Sequence, residues 1–462
     1  MLNYKEYLRY NIFMQVNNEY TLRIDKVTNS GDGIGRVEDF VVFVEGACPG
    51  DLLKVQIFKV NKSFANAKII EIIEPSIHRV SPFCPMQKVC GACQIQYIDY
   101  DYQLRIKKEI TEDAIRKIGG LDTPIFDTIL SPEVKNYRCK IQYPISRTKN
   151  SGRILAGYYK PKSHEIVNIK YCPIQPEICD KIIEFIREKA FDFGISGFIE
   201  KNHTGDLRHV VIRNSKYSNK NLVVLVVNAT KVFDRLKDFA QAIYNEFDEV
   251  TGVSVNFNSK KTNVILGQKS ECLVGYDYIE EQIIDKIFRI GANTFFQVNP
   301  KSAENIFKYV KNYISENFES PLVLDAYAGI SSFGIVVSDV CKKVVSVEEN
   351  KYSCDLARVV AKENNVLNIE INNMDAAKYF AKEKRNFDVV ILDPPRKGCT
   401  QESLDEAYRL SKDTIIYVSC NPATLARDLK YLTEKGAKVQ SIQPFDMFCH
   451  TYHVENVAII KI

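Results

Sequence analysis

Residues 322–334 read Leu-Val-Leu-Asp-Ala-Tyr-Ala-Gly-Ile-Ser-Ser-Phe-Gly: an apolar run, an acidic residue, then a small-residue turn opening into a helical pattern. The same grammar recurs downstream. A second run ends at Glu348, a third leads to Asn373-Met-Asp375, a fourth ends in Leu392-Asp-Pro-Pro-Arg396 and a fifth in Val418-Ser-Cys-Asn-Pro422. Short β-branched runs alternating with helical stretches predict βα units and a parallel, doubly wound sheet. Ligands of such sheets bind where the strands' carboxyl ends open.

Glu348 lies 19 residues beyond Gly329, about where a carboxylate would hold ribose hydroxyls. No phosphate-binding lysine accompanies it. A nucleoside-type cofactor, S-adenosylmethionine, is therefore favoured over a nucleotide. Asp393-Pro-Pro is compatible with amino-group methylation, but Arg396 stands where that chemistry wants an aromatic. Cys420 instead ends a strand beside the expected cofactor. Carbon 5 of uracil is too weak a nucleophile to take a methyl group unaided, whereas a thiolate added at carbon 6 turns carbon 5 into an enolate. Glu455, opening the apolar terminal run, is the candidate base for the carbon-5 proton. The bland alternatives are a buried inert cysteine, which is common, and an edge-strand glutamate.

Upstream the texture differs. Residues 13–75 alternate apolar and polar positions in short runs, with turns expected at 30–35 and 47–51, which predicts a small antiparallel barrel. Gly31, Gly33 and Gly35 lack the strand-then-helix context of a phosphate loop, so they read as a hairpin turn. Residues 102–118 have helical periodicity and stop at Gly119-Gly120. Strand-like runs follow, including His-Glu-Ile-Val-Asn-Ile at 164–169.

Thirteen cysteines in 462 residues is an odd count in a long chain, which argues against a secreted disulfide framework. The N-terminus lacks a signal-peptide profile and no apolar run approaches ~18 residues. A cytoplasmic location, with no membrane association and no obligate protein partner, is the resulting expectation. Cys84-x5-Cys90-x2-Cys93, with Cys172 79 residues later, offers four thiolates for tetrahedral zinc or a four-iron–four-sulfur cluster. The other eight cysteines read as packing.

Net charge is only +4, yet residues 131–170 carry nine basic residues against Glu133 and Glu165, with Tyr137, Tyr143, Tyr158, Tyr159 and Tyr171 interleaved. Cations for phosphates and aromatics for unstacked bases are what RNA binding needs. A solvated sheet face is the plainer alternative.

The sequence closely resembles the RNA uracil-C5 methyltransferases, the formers of 5-methyluridine, and within them the ribosomal-RNA branch. The resemblance spans nearly the whole chain and rests on Asn293-Thr-Phe-Phe-Gln-Val-Asn-Pro300, Leu324-Asp-Ala-Tyr-Ala-Gly329, Leu392-Asp-Pro-Pro-Arg-Lys-Gly398, Ser419-Cys-Asn-Pro422 and His453-Val-Glu-Asn456. It implies a multidomain α/β protein. An N-terminal OB-like barrel of the TRAM type would occupy 13–75, and a central α+β iron-sulfur domain 76–265, discontinuous if the 102–118 helix packs back on the catalytic unit. A C-terminal Rossmann-like S-adenosylmethionine-dependent methyltransferase domain would occupy 266–462.

The resemblance also implies that Cys420 is the carbon-6 nucleophile and Glu455 the base. Gln297, Tyr327, Glu348, Asn373 and Asp393 would contact the cofactor, and Phe295 and Phe296 would line the pocket. Cys84, Cys90, Cys93 and Cys172 would hold a [4Fe-4S] cluster. The implied substrate is RNA, most plausibly 23S rRNA in single-stranded or loop form, with a transfer-RNA methyltransferase of the same chemistry as the alternative. An amino-group methyltransferase and a non-catalytic RNA-binding protein are the more distant readings. Two positions depart from the family pattern: Ser331 where a glycine is usual, and Cys449 where Asp446-Met-Phe-Cys-His450 would have proline.

Overall fold

In the computed structural model, which describes residues 14–462, three β-systems follow one another along the chain. Residue 13, the expected start of the barrel, and most of the N-terminal stretch read for a signal peptide lie outside the described residues. Strands β1 (Glu19–Val27), β2 (Gly33–Val37), β3 (Phe40–Val44), β4 (Leu52–Val60) and β5 (Phe64–Glu74) close a barrel in the order β1-β2-β3-β5-β4. Their alternate residues, among them Leu22, Val42, Leu53 and Ala65, fill its interior. The first hairpin turn lies earlier than the glycines suggested: Thr28 N–H donates to the Asp32 carbonyl, while Gly33 and Gly35 are strand residues. Gly35 is needed there because a side chain would meet the Arg23 carbonyl at 2.5 Å.

A six-stranded sheet, β11-β10-β9-β8-β6-β7, forms the middle of the molecule from β6 (Lys140–Arg147), β7 (Ile154–Ala156), β8 (Leu207–Asn214), β9 (Asn221–Val227), β10 (Val250–Phe257) and β11 (Lys269–Gly275). It thus reaches past residue 265, because β11 pairs antiparallel with β10. Residues 164–169 do not form the strand their pattern predicts: the chain there makes only the bridge Tyr159–Ile166 and scattered backbone bonds. Helices Glu177–Lys189 and Asp234–Glu246 cover one sheet face. Val211, Leu222, Val224 and Val226 on the other face join the methyltransferase core.

After the hairpin β12 (Tyr278–Ile283) and β13 (Lys286–Gly291) comes a seven-stranded sheet. It comprises β14 (Leu322–Ala326), β15 (Lys343–Glu348), β16 (Ile369–Asn373), β17 (Phe387–Leu392), β18 (Ser411–Ser419), β19 (Lys438–Phe445) and β20 (Glu455–Lys461), ordered β16-β15-β14-β17-β18-β20-β19. The first five are parallel and β20 is antiparallel to both neighbours. The central strands β14 and β17 are apolar at all but one position because both faces are covered, as expected of a doubly wound sheet: Val323 packs into one core layer and Leu324 into the other.

The helix Tyr100–Ala114 ends in a π-helical turn, Ile115–Gly119, with Gly120 left-handed, and packs on the catalytic helix Pro422–Glu434. Val27 of the barrel, Ile106 and Ile110 of this helix, and Val454 share a small core that joins all three units. Among the described residues no helix is long and apolar enough to cross a membrane.

Candidate active site

The carboxyl ends of β14, β15, β17 and β18 open on one side of the seven-stranded sheet, and the antiparallel β20 begins there. Register makes the arrangement specific. Ser419, the last residue of β18, pairs with Asn456, so Cys420 and Glu455, each one step farther, meet at the same edge. Asn421-Pro422 explains why Cys420 sits in a sharp strand-to-helix turn. Asn421 caps the helix by accepting from the Ala423 N–H at 3.1 Å, and Pro422 occupies a position whose N–H would be unbonded anyway. The Asn421 amide and the Thr424 hydroxyl both donate to the Arg396 carbonyl, at 3.1 and 3.2 Å, binding the Asp-Pro-Pro-Arg loop to this turn.

Electrostatics confirm the convergence of four side chains. Burial, then the neighbouring Glu455 and Asp393, push the Cys420 thiol up to about 11 against the opposing pull of the Arg396 guanidinium beside it. Glu455 is 6 % exposed, and burial followed by repulsion from Asp393 lifts its carboxyl well above the usual range, with Arg396 opposing. Burial alone brings Asp393 up to about 7. Arg396 is the member that sequence reasoning missed. It counted there only against an aromatic, although its place in the Asp-Pro-Pro-Arg run at the end of a strand was the available signal.

The turn after β14 offers a cradle. Tyr327, Gly329 and Ser331 are all left-handed (φ 61°, 57° and 56°), and no atom lies within 4 Å of where a Gly329 side chain would project. Glu348 accepts from the Gly329 N–H at 2.9 Å and the Asn350 N–H at 2.7 Å, while the Asn373 amide donates to the Glu348 and Glu349 carbonyls. Asp325 is fully buried, and its Oδ1 has no partner. An open turn ringed by carboxyl groups fits an adenosyl sulfonium ligand. Ser331 takes the usual glycine position in the strained left-handed region, with its hydroxyl buried and unpartnered. The Tyr327 hydroxyl turns toward Cys399 and Ser403. Gln297 lines a small separate cavity with Lys140, Arg213 and Glu281. Phe295 is exposed, and Phe296 is core.

A cleft of about 530 Å³ leads to Cys420 between the barrel and the catalytic unit; Lys26, Phe43, Ile118, Arg396, Asn421 and His453 are among its walls. Lys26 pairs with Asp113 across it, and the barrel turn seats Gly31 directly on the Tyr452 ring.

Cys84, Cys90, Cys93 and Cys172 line one cavity. Among the described residues, however, no group of three or more acidic, histidine or cysteine side chains is arranged to hold a metal ion. Of the cysteines read as packing, Cys272 is a correction: it is exposed on β11, an edge strand with only one neighbour. The basic segment also divides. Tyr137 and Tyr143 are core residues, and Lys140 is sunk between Arg138 and Arg213, its ammonium pushed down to about 7 by burial and those cations. Lys135, Lys149, Arg153, Lys162 and Lys170 stay at the surface.

Residues 99–461 match the family model described as tRNA (uracil-5-)-methyltransferase, and residues 14–70 match the TRAM domain. A protein of Clostridium tetani described as an uncharacterized RNA methyltransferase is 37 % identical over 98 % of both chains; one of Clostridium acetobutylicum with the same description is 38 % identical over 96 % of this chain and 97 % of that. The crystal structure of Pyrococcus abyssi tRNA (uracil-54, C5)-methyltransferase with S-adenosyl-L-homocysteine superposes with a TM-score of 0.75 at 28 % identity, covering 96 % of this chain and all of that one. The chain therefore belongs to the tRNA (uracil-5-)-methyltransferase family, with an N-terminal TRAM domain, and is an S-adenosylmethionine-dependent RNA methyltransferase.

Proposed function

We propose that the protein forms 5-methyluridine in 23S rRNA by covalent catalysis, with Cys420 as nucleophile and Glu455 as base. The observation that carries this is the β18–β20 register, which brings a half-buried thiol and a buried carboxyl to one sheet edge. The target base must leave its stack to reach Cys420, and the cleft beside the barrel is the route for the strand. Cys420 sheds its proton and adds to carbon 6, with Arg396 stabilising the thiolate. S-adenosylmethionine would be held by Glu348, Asn373 and Asp393 beside the Tyr327–Ser331 turn; it would supply the electrophilic methyl group that carbon 5 takes up and leave as S-adenosylhomocysteine. Glu455 then accepts the carbon-5 proton, the carbon 6–sulfur bond breaks, and the ring regains its double bond.

The four cysteines on one cavity are the donor set for a [4Fe-4S] cluster, which would cross-link the 84–93 loop to Cys172. Anaerobic purification followed by iron and sulfide analysis should return about four of each per chain, lost in Cys93→Ser; stoichiometric zinc would overturn it.

Transfer RNA is the second reading, favoured by the archaeal enzyme above. Its match leaves too little of this chain uncovered for the barrel to be a mark of ribosomal specificity. One experiment decides both target and chemistry. RNA from cells with and without the protein is mapped for 5-methyluridine, and 5-fluorouridine-substituted RNA is used to trap the enzyme. Loss of a 23S site and a covalent adduct requiring Cys420 are expected; loss confined to transfer RNA, or methylation by Cys420→Ala, would sink the respective assignment.

A further inference from the structure

The helix Tyr100–Ala114 turns a polar face inward. Tyr100, Gln103, Lys107 and Thr111 recur at spacings of three, four and four, which puts them on one stripe. A buried stripe is ordinarily apolar, yet Gln103, Lys107 and Thr111 are no more than 1 % exposed. A buried ammonium is costly unless fully matched, and here every match lies on the segment that runs into Glu455. Lys107 pairs with Asp446, equally buried, and donates to the Phe448 carbonyl at 3.0 Å. The Tyr100 hydroxyl donates to the other Asp446 oxygen at 2.8 Å. Gln103 Oε1 accepts the His450 N–H at 3.0 Å, and the Thr111 hydroxyl donates to Asn456 Oδ1 at 2.9 Å.

These ties bracket one residue. Asp446 follows Phe445, which pairs with Glu455 in the β19–β20 register, and Asn456 succeeds Glu455. The Glu455 carboxyl itself is held by no hydrogen bond among the described residues. Its position is therefore set by the backbone around it. Cys420 has an anchor that Glu455 lacks, its own capped turn.

We propose that this helix is a clamp that positions Glu455 for proton removal, with Lys107 and Thr111 as positioning residues. This rests on the reading of Glu455 as the base. A misplacement of the base by ~1 Å is enough to cost up to about 100-fold in rate.

The test uses the full-length enzyme with unmodified ribosomal RNA from cells lacking the protein, and the same RNA carrying 5-fluorouridine. Thr111→Val should trap on the fluorinated RNA within about twofold of wild type, since that step needs no proton removal. On ordinary RNA its kcat should fall about 10- to 100-fold with KM nearly unchanged, and the methylated covalent adduct should accumulate. Thr111→Ser, which keeps the hydroxyl, should restore turnover. Lys107→Met should move the same quantities further. Trapping and turnover falling together in Thr111→Val, or unchanged turnover without adduct, would overturn the clamp. Glu455→Gln separates the two ideas: if it accumulates adduct and Thr111→Val does not, only the clamp fails, and if it accumulates none, the base assignment falls and the clamp with it.

Discussion

Arg396 is the residue whose role depends most on what surrounds it. It is the cation that opposes the upward pull of burial, Glu455 and Asp393 on the Cys420 thiol. Because the thiol is held near 11, its thiolate fraction grows as pH rises, so the rate of adduct formation should climb from pH 6 to 9. Arg396→Gln removes the stabilising charge from the thiolate. Its profile should therefore shift to higher pH, the deficit being a constant factor well below pH 11 and narrowing only as pH nears and passes 11. An alkylation profile of the Cys420 thiol that is not displaced to higher pH in Arg396→Gln would mean that Arg396 acts elsewhere. Cys420 and Glu455 were legible as candidates because their residue types are unusual at strand ends. Arg396 was not, because an arginine in a loop acquires meaning only from the thiol it reaches.

At the scale of elements, the barrel's first turn packs on the segment that leads to Glu455. Gly31 has φ 86°, and any side chain there would stand 2.9 Å from the Tyr452 ring, three residues before Glu455. Gly31→Val adds a left-handed strain of ~1–3 kcal/mol to that collision. The turn should lift from Tyr452, and methylation of RNA should fall at least tenfold while S-adenosylmethionine binding, measured by calorimetry, stays within twofold. Equal loss of both would show that the turn supports the cofactor site instead. The turn's identity as a hairpin was readable from the missing helix after its glycines. Its docking was not, since Gly31 and Tyr452 are separated by most of the chain. Similarly, residues 164–169 have a strand's alternation without a strand's ladder: the hydrogen bonds go to 156–160 irregularly, and period alone does not report a partner.

Over the whole molecule, charge is arranged rather than abundant. The tip of the β6–β7 hairpin carries Arg147, Lys149 and Arg153, with Lys149 and Arg153 exposed, whereas Arg138 and Lys140 of the same run are drawn inward. If this tip meets phosphates, reversing all three charges should weaken RNA binding and flatten the log–log salt dependence by about 2, at ~0.7 per phosphate for a single strand. Unchanged affinity and slope in a folded variant would assign the RNA path to the cleft alone. The tyrosines interleaved with these cations divide in the same way. Tyr143 is fully buried and Tyr171 is 53 % exposed, so only some can meet a base.

The sequence by itself determined the local grammar. Apolar runs buried on both sides gave the parallel strands, Asn-Pro pairs gave the helix starts, and acidic or thiol residues at run ends marked the edge that carries the candidate site. These are properties of a few consecutive residues, and hydrophobic period and capping chemistry express them directly. Only the tertiary structure decided which of those ends meet. The pairing of Ser419 with Asn456, the reach of Arg396 to Cys420, and the buried match of Lys107 with Asp446 across more than three hundred residues are all settled by sheet register and by the cost of leaving a buried charge alone. Neither is a property of any single stretch of chain.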